Sequence, residues 1–203
     1  MSSPTFYLLR HGQTEWNVQG RPQGRLDSPL TALGTAQAGA HALTLAGVPL
    51  ARAYTSPMDR ARRTAELVLE GREVPLTVLE DLAEVDAGDL AGLLRAERVA
   101  RFPGLAAARE RDKYRTVLPG GESYETAAPR AARALQTIRE AGDGPVLLVT
   151  HEMIGRLLRM HLLGLTPQQA LALSHPQDLV YRVRDRELTA SAAGGPFRPV
   201  LLP

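Results

Sequence analysis

The chain has 203 residues, of which 44% are hydrophobic and 23% are charged, a balance typical of one globular domain with a substantial core. The complete lack of cysteine excludes disulfides, thiolate nucleophiles and cysteine-based zinc sites. With a net charge of only +2, scattered arginines and 4% aromatic residues, the sequence also argues against a nucleic-acid-binding surface.

The N-terminal segment has neither the basic region nor the long apolar stretch of a signal peptide, and no segment is long enough to cross a bilayer. We therefore expect a cytoplasmic protein that binds neither membrane nor nucleic acid. No internal repeat or linker divides the chain, so residues 1–203 are predicted to form a single domain. The sequence does not determine the oligomeric state and leaves a homodimer open.

The first part of the chain predicts a strand, a loop and a helix. Residues 5–9 are short and apolar, as in a buried strand. Residues 12–30 are rich in Gly, Pro, Asn and Gln, which predicts a long loop, and loops of this length are usually functional. Thr31 is the expected N-cap of a helix that ends near Gly47, and a second strand is expected at 51–55.

The middle of the chain begins with a helix-start pattern. The N-cap is predicted at Ser56, the first helical position at Pro57, and the acidic residue three positions after the cap at Asp59. The helix is predicted to run to about Leu69. Three further segments are expected before residue 116: an edge strand at 74–79, limited to the edge by Pro75, a loop at 80–92, and helical segments in 93–115 broken at Pro103-Gly104.

The last part predicts a turn at 120–123, a helix to about Ala141, a strand at 146–150, a helix from about Glu152 to Leu163, and strands at 179–184 and 187–192 joined at Asp185-Arg186. Pro129 implies that the first of these helices is kinked or begins later, and the tail from Gly194 either docks or frays. Strands that alternate with helices predict an α/β three-layer sandwich. Its central sheet would be mostly parallel with an antiparallel edge, and helices would cover both faces.

Two histidines follow directly after buried strands, in Arg10-His11-Gly12 and at His151. Because ligands of open α/β sheets bind outside the carboxyl ends of strands, we expect both imidazoles at one functional edge. A neutral imidazole can attack phosphorus, and an adjacent arginine can hold phosphoryl oxygens. The alternative for His11 is a simple hydrogen bond to a neighbouring carbonyl. His41, His161 and His175 lack such settings and are expected to be structural or exposed.

Arg60 and Glu84 are the other candidates for chemistry. Arg60 lies in the first turn of a helix, where an anion is favoured, although it could instead pair with Asp59 or Glu66 on the surface. Glu84 suits proton transfer, because the nearby Asp81 and Asp86 would raise the pKa of its carboxyl, although it could also be a surface acid. His151 would donate a hydrogen bond to a phosphoryl oxygen and, if charged, stabilise a phosphorane-like transition state.

Six blocks resemble those of the histidine phosphatase superfamily, phosphoglycerate mutase-like branch, in the order expected for that family. They span roughly residues 6–160 and comprise 8–17, with Leu-Leu-Arg-His-Gly-Gln-Thr-Glu-Trp-Asn, 24–34, 55–61, with Thr-Ser-Pro-Met-Asp-Arg-Ala, 82–84, 119–123 and 149–151. One block alone is weak to moderate evidence, but the ordered set is strong.

The resemblance implies that His11 accepts the phosphoryl group as phosphohistidine, and that Glu84 protonates the leaving oxygen and then activates water. Residues around the phosphoryl group would be Arg10, Asn17, Gln23, Gly24, Arg60 and His151. No metal and no organic cofactor is implied.

The chain departs from the family pattern at two places. Glu152 follows His151, where small or amide residues are frequent; it would sit close to a phosphate unless turned away, and we favour a helix-start acid. The segment 88–92 lacks the Trp-Glu pair often found there, which leaves the substrate wall undefined.

The leading hypothesis is a phosphomonoesterase that hydrolyses a small phosphorylated metabolite, such as a sugar phosphate, a phosphoglycerate derivative, a nucleotide or a cofactor precursor. The chain is shorter than the classical cofactor-dependent mutases that its opening block resembles, which favours a site that admits water. A phosphoglycerate mutase and a non-catalytic phospho-ligand-binding protein are the alternatives. The basic side chains of 95–115, including Lys113, either hold a second anionic group or lie on a solvated helix face.

Overall fold

A seven-stranded sheet forms the centre of the computed structural model, which describes residues 4–192 and 194–203. The strands are β1 (Phe6–Arg10), β2 (Arg52–Thr55), β3 (Leu76–Val78), β4 (Val146–Thr150), β5 (Leu179–Arg184), β6 (Glu187–Ala192) and β7 (Arg198–Pro199). Residues 1–3, on which the prediction of no signal peptide partly depends, lie outside the described residues. None of the described helices combines the length and the apolarity needed to cross a membrane.

The sheet has a parallel part and an antiparallel part, as predicted. Its order is β3-β2-β4-β1-β5-β6-β7, in which the first four strands pair in parallel and the last three are added antiparallel. The strands β1 and β4 lie side by side at the centre, and all five residues of β4 are buried. Because these two strands are parallel neighbours, their carboxyl ends lie together.

Helices cover both faces of the sheet, which confirms the three-layer arrangement. They are α1 (Glu15–Val18), α2 (Ala32–Leu45), α3 (Asp59–Val68), α4 (Arg95–Arg101), α5 (Leu105–Arg111), α6 (Tyr124–Glu140), α7 (Glu152–Leu163) and α8 (Pro167–Ala172). Alternate residues of β1 face opposite cores, as the pleat of a strand requires. Phe6 and Leu8 pack with α6 and α7, whereas Tyr7 and Leu9 pack with α2 and α3.

Several local predictions are confirmed and others are refined. Thr31 caps α2 by accepting a hydrogen bond from the Gly34 N–H, and the break at Pro103-Gly104 separates α4 from α5. The segment 12–30 contains the short helix α1, which was not predicted, and 3₁₀ turns interrupt the loop at 80–92. Pro129 does not delay α6, which begins directly after the 120–123 turn, and the C-terminal tail docks as β7.

The predicted start of α3 is wrong. The helix begins at Asp59 rather than at Pro57, and the Ser56 hydroxyl does not act as its N-cap. The Asp27 carboxylate takes that place from the 12–30 loop: it accepts hydrogen bonds from the N–H of Asp59 at 2.9 Å and of Arg60 at 3.3 Å. A carboxylate at a helix N-terminus satisfies free N–H groups and interacts well with the helix dipole.

Two glycines let the loop after β1 approach α2. A Cβ on Gly34 would overlap the Gln13 carbonyl, and one on Gly12 would overlap the Gly34 backbone. We expect Gly34→Ala to lower the free energy of unfolding by about 1–3 kcal/mol, because backbone atoms cannot yield as a side chain can. Urea unfolding measures this change.

Gly39→Ala is the matched control, because Gly39 lies in the same helix and its Cβ would meet no described atom within 4 Å apart from the neighbouring backbone of that helix. It should raise stability by about 0.5–1 kcal/mol through helix propensity. Equal effects of the two substitutions would contradict the close approach.

Candidate active site

The predicted site residues meet around a cavity of about 650 Å³ at the carboxyl ends of β1 and β4. Seven of the eight line its wall: Arg10, His11, Asn17, Gln23, Gly24, Arg60 and Glu84. His151, the eighth, lies behind the wall, with its ring centroid 5.2 Å from that of His11. The fold therefore brings together residues as far apart in the chain as Arg10 and His151, which are separated by 141 positions.

His11 lies directly after β1, with one ring nitrogen in a hydrogen bond and the other free to react. Its backbone N–H donates to the Thr150 carbonyl at 2.9 Å, and its Nδ1 lies 2.8 Å from the Gly12 carbonyl oxygen. Since a carbonyl only accepts, Nδ1 carries the proton and Nε2 keeps its lone pair. Burial, followed by the charges of Arg60 and Arg10, holds the pKa of His11 well below its usual 6.5. The free imidazole is therefore neutral at neutral pH.

Arg60 is fixed by the 12–30 loop, which follows β1. Its side chain is 1% exposed and donates to the carbonyls of Gly24 at 2.7 Å and Leu26 at 2.5 Å and to the Asp27 carboxylate at 2.8 Å. Burial lowers its pKa, although Asp27 and Glu84 oppose this shift. The surface pairing considered from the sequence does not occur.

Asp59 and Glu66, the surface partners considered for Arg60, pair instead with neighbouring arginines. Arg62 and Arg63 bind them at 3.2 Å and are exposed, as expected of solvated residues on this helix. Arg60 is thus the arginine of this run that faces the cavity.

His151 links the two histidine-bearing strand ends to the Ser56 hydroxyl. Its Nε2 lies 2.6 Å from the Ser56 Oγ, and its Nδ1 is buried without a hydrogen-bond partner among residues 4–192 and 194–203. Burial, then the charges of Arg60 and His11, holds the pKa of His151 well below 6.5. This environment favours a neutral hydrogen-bond donor over the charged imidazole considered from the sequence.

The side chain of Glu84 lies at the N-terminus of α7, a contact that the sequence pattern did not reveal. Its Oε1 accepts hydrogen bonds from the N–H of Val85 at 2.8 Å and of Ile154 at 3.0 Å, and its Oε2 accepts one from Met153 at 3.1 Å. The carboxyl group is therefore oriented by backbone donors. Asp81 and Asp86, the acids considered from the sequence to act on Glu84, pair instead with Arg133 at 2.9 Å and with Arg25 at 3.9 Å.

Arg130 is a structural residue of the site that sequence reasoning missed. It is 8% exposed and donates to the carbonyls of Asp81 at 3.2 Å, Ala83 at 2.5 Å and Glu84 at 3.1 Å. Its ion pair with Glu122, at 2.9 Å, joins this loop to the turn before α6. The sequence signal that could have identified Arg130 was an arginine on the inward face of an alanine-rich helix.

The remaining phosphate-pocket candidates come from the 12–30 loop. The Asn17 side-chain oxygen accepts hydrogen bonds from the Thr14 N–H at 3.1 Å and from the Gln177 amide at 2.8 Å, so its orientation is fixed. Gln23 is buried, and Gly24 has a φ of +54° and no room for a Cβ next to Ala87. Glycine is required at this close approach.

The outer wall of the cavity is both basic and apolar. Of the predicted basic side chains, Arg95, Arg98, Arg109 and Lys113 line it, together with the apolar Val99, Phe102 and Leu105; Arg101, Arg111 and Arg115 do not. Burial and then the charges of Arg156 and Arg109 lower the pKa of Lys113. The segment 88–92, which lacks the family's Trp-Glu pair, contributes Leu90 to this wall.

The family model described as histidine phosphatase superfamily (branch 1) matches residues 6–187. The chain belongs to this superfamily. The match includes all six sequence blocks and the residues that surround the cavity.

Curated relatives of this superfamily member carry both phosphatase and mutase names. A protein of Gloeobacter violaceus named 2,3-bisphosphoglycerate-dependent phosphoglycerate mutase 2 is 37% identical over 80% of this chain and 77% of its own length. A Bacillus subtilis protein named uncharacterized phosphatase PhoE is 32% identical over 79% of this chain and 78% of its own. Among solved structures, a mycobacterial glucosyl-3-phosphoglycerate phosphatase has a TM-score of 0.82 and 29% identity, with 96% of this chain and 100% of that chain covered.

Proposed function

We propose that the protein is a phosphomonoesterase that hydrolyses a small phosphorylated metabolite through a phosphohistidine on His11. The observation that carries this proposal is the hydrogen bond from Nδ1 of His11 to the Gly12 carbonyl, which leaves the Nε2 lone pair free at a cavity that Arg10 and Arg60 also line. The low pKa of His11 supports the same role, because only the neutral imidazole is a nucleophile. The phosphatases among its relatives and structural neighbours add support.

In the first step, Nε2 of His11 attacks phosphorus and the bond from phosphorus to the ester oxygen breaks. Arg10 and Arg60 hold the phosphoryl oxygens. His151, whose Nδ1 is buried behind the cavity wall without a partner among the described residues, is proposed to donate a further hydrogen bond to the phosphoryl group. Glu84 gives a proton to the leaving oxygen, so the product departs as an alcohol.

In the second step, Glu84 takes a proton from water as the water oxygen attacks the phosphohistidine. The bond between phosphorus and nitrogen breaks, inorganic phosphate forms, and His11 returns to its neutral state. The same carboxyl group serves both steps because its backbone donors hold it at one place.

The outer wall supports a substrate with a second anionic group and an apolar portion. Arg109 and Lys113 face the cavity without an ion-pair partner among the described residues, so an anionic substrate would neutralise them. Val99 and Phe102 supply the adjacent apolar surface.

A phosphate-release screen against a metabolite panel tests the proposed function. Within the panel, each ester that carries a distal carboxylate or phosphate should be paired with its neutral counterpart. We expect hydrolysis, with the anionic member of a pair giving the higher kcat/KM. No hydrolysis of any ester, with phosphate binding intact, would instead support a non-catalytic phospho-ligand-binding protein.

Phosphoglycerate mutase activity is the second candidate, because relatives with 35–37% identity carry that name. Incubation with 3-phosphoglycerate and a trace of 2,3-bisphosphoglycerate separates the two reactions. Rapid isomerisation without release of free phosphate would overturn the phosphatase proposal in favour of the mutase.

The proton-transfer role of Glu84 predicts a dependence on the leaving group. Glu84→Gln should slow hydrolysis of alkyl esters by about 10²–10⁴-fold, because poor leaving groups need a proton. It should slow hydrolysis of nitrophenyl phosphate much less, because nitrophenolate leaves without one. Single-turnover rates of phosphoenzyme formation with both esters measure the difference, and equal losses would contradict the assigned role.

A further inference from the structure

The Glu152 carboxylate bridges two arginines at the cavity wall. Its Oε2 lies 3.0 Å from Nη1 of Arg10, and its Oε1 lies 2.8 Å from Nη2 of Arg156. Glu152 is the first residue of α7, as expected of a helix-start acid, but its side chain lines the same cavity as His11 and Arg60. The carboxylate is therefore not turned away from the phosphate pocket.

Arg10 already has an anionic partner before any phosphoryl group arrives. Its ion pair with Glu152 is accompanied by a longer hydrogen bond to the His175 carbonyl, at 3.4 Å. A guanidinium has enough donors to bind two anions at once. A carboxylate on the same arginine, however, repels the phosphoryl group and cancels part of the charge that attracts it.

Arg156 gives the carboxylate a second place to bind. Its Nε donates to the Leu173 carbonyl at 2.9 Å and its Nη1 to the Tyr124 hydroxyl at 2.9 Å, so the guanidinium is fixed independently of Glu152. Arg156 also lies one helical turn after Glu152, where acid–base pairs are favourable. Glu152 can thus release Arg10 and keep one charged partner.

We propose that Glu152 lowers the affinity of the site for phosphoryl groups: it competes with the phosphoryl group for Arg10 and is retained by Arg156 when that group binds. The binding of inorganic phosphate would be weakened most, because its whole affinity comes from this pocket. Weaker phosphate binding favours release of the product. The inference rests on the proposed function for its biological meaning, but it concerns anion affinity, which can be measured without turnover.

Glu152→Gln tests the proposal, because glutamine keeps the shape and an acceptor oxygen while removing the charge. Isothermal titration with inorganic phosphate should show roughly tenfold tighter binding, the change expected when one repulsion between partly exposed charges is lost. KM should fall and kcat should not rise, since binding gained equally by substrate and transition state does not accelerate chemistry. Glu66→Gln, which removes an exposed ion pair on α3, is the control and should leave phosphate affinity unchanged.

A purely structural role gives the opposite result. If Glu152 only holds Arg10 in place, Glu152→Gln weakens phosphate binding, and either weaker or unchanged affinity overturns the proposal. Such a result would not contradict the proposed role of His11, because phosphoenzyme formation is measured separately. Conversely, a failed ester screen would not alter this comparison of phosphate affinities.

Arg156→Gln supplies a second and independent test. It should weaken phosphate binding in the presence of Glu152, because the carboxylate then has Arg10 alone, and should have no effect in the Glu152→Gln background. An equal loss in both backgrounds would show that Arg156 binds the anion directly, and would overturn the retention of Glu152 by Arg156.

Discussion

His11→Asn should abolish phosphoenzyme formation and reduce kcat by at least about 10⁴-fold, the scale of losses seen when a covalent nucleophile is removed. The amide group of asparagine can still donate to the Gly12 carbonyl, so the strand end keeps its geometry. Its nitrogen has no basic lone pair for attack on phosphorus. Rapid acid-free quenching and intact-protein mass spectrometry would detect the phosphoryl adduct in the parent protein and its absence in the variant.

His161→Asn is the matched control for this substitution. His161 is exposed, lies near the end of α7 and binds the Ala128 carbonyl at 3.0 Å, away from the cavity wall. Turnover should be unchanged in this variant. A phosphoryl adduct that persists in His11→Asn would move the nucleophile to another residue and contradict the mechanism.

Acidification should destabilise the fold well above the pH at which carboxylates titrate. His11, His151 and His175 are at most 3% exposed, and burial is the largest cause of the low pKa of each. In the unfolded chain these imidazoles regain their usual pKa of 6.5 and take up protons below it.

The sign of the effect follows from proton linkage. Below pH 6.5 the unfolded state binds more protons than the native state, so the free energy of unfolding falls as the pH falls. Each histidine that stays neutral in the native state contributes about 1.4 kcal/mol per pH unit, and three contribute roughly 4 kcal/mol per pH unit. The loss continues until the native imidazoles themselves become protonated.

Urea unfolding at pH 7.5, 6.0 and 5.0 measures this slope, and His175→Leu should reduce it by about one third. If that variant does not fold, NMR titration of the parent protein provides the check, since His11, His151 and His175 should remain neutral at pH 6. Stability that is independent of pH between 7 and 5.5 would contradict the burial argument.

The sequence was most informative where local chemistry determines local structure. Thr31 and the alternation of strands and helices predicted α2 and the three layers correctly, because caps and apolar patterns are short-range signals. The candidate residues were found because their blocks resemble a known family and because strand ends are natural ligand sites.

The errors arose where a distant residue replaced a local one. Ser56 looks like a helix cap, yet Asp27 occupies that place and Ser56 contacts His151 instead. Two of the three backbone groups that donate to Glu84 belong to α7, about 70 residues later in the chain. Neither contact has a signature in the sequence, because both depend on how separate loops meet above the sheet.

The ends of the sheet have a consequence for the behaviour of the protein at high concentration. An unpaired strand edge is a template on which other chains can add and aggregate. Here one edge strand, β3, has three residues and is preceded by Pro75, and the other, β7, has two residues and contains Pro199. Short strands and proline, which lacks an N–H, deprive an incoming chain of a continuous row of partners. We therefore expect the molecule to resist edge-to-edge polymerisation even though Leu76 and Val78 are exposed on β3.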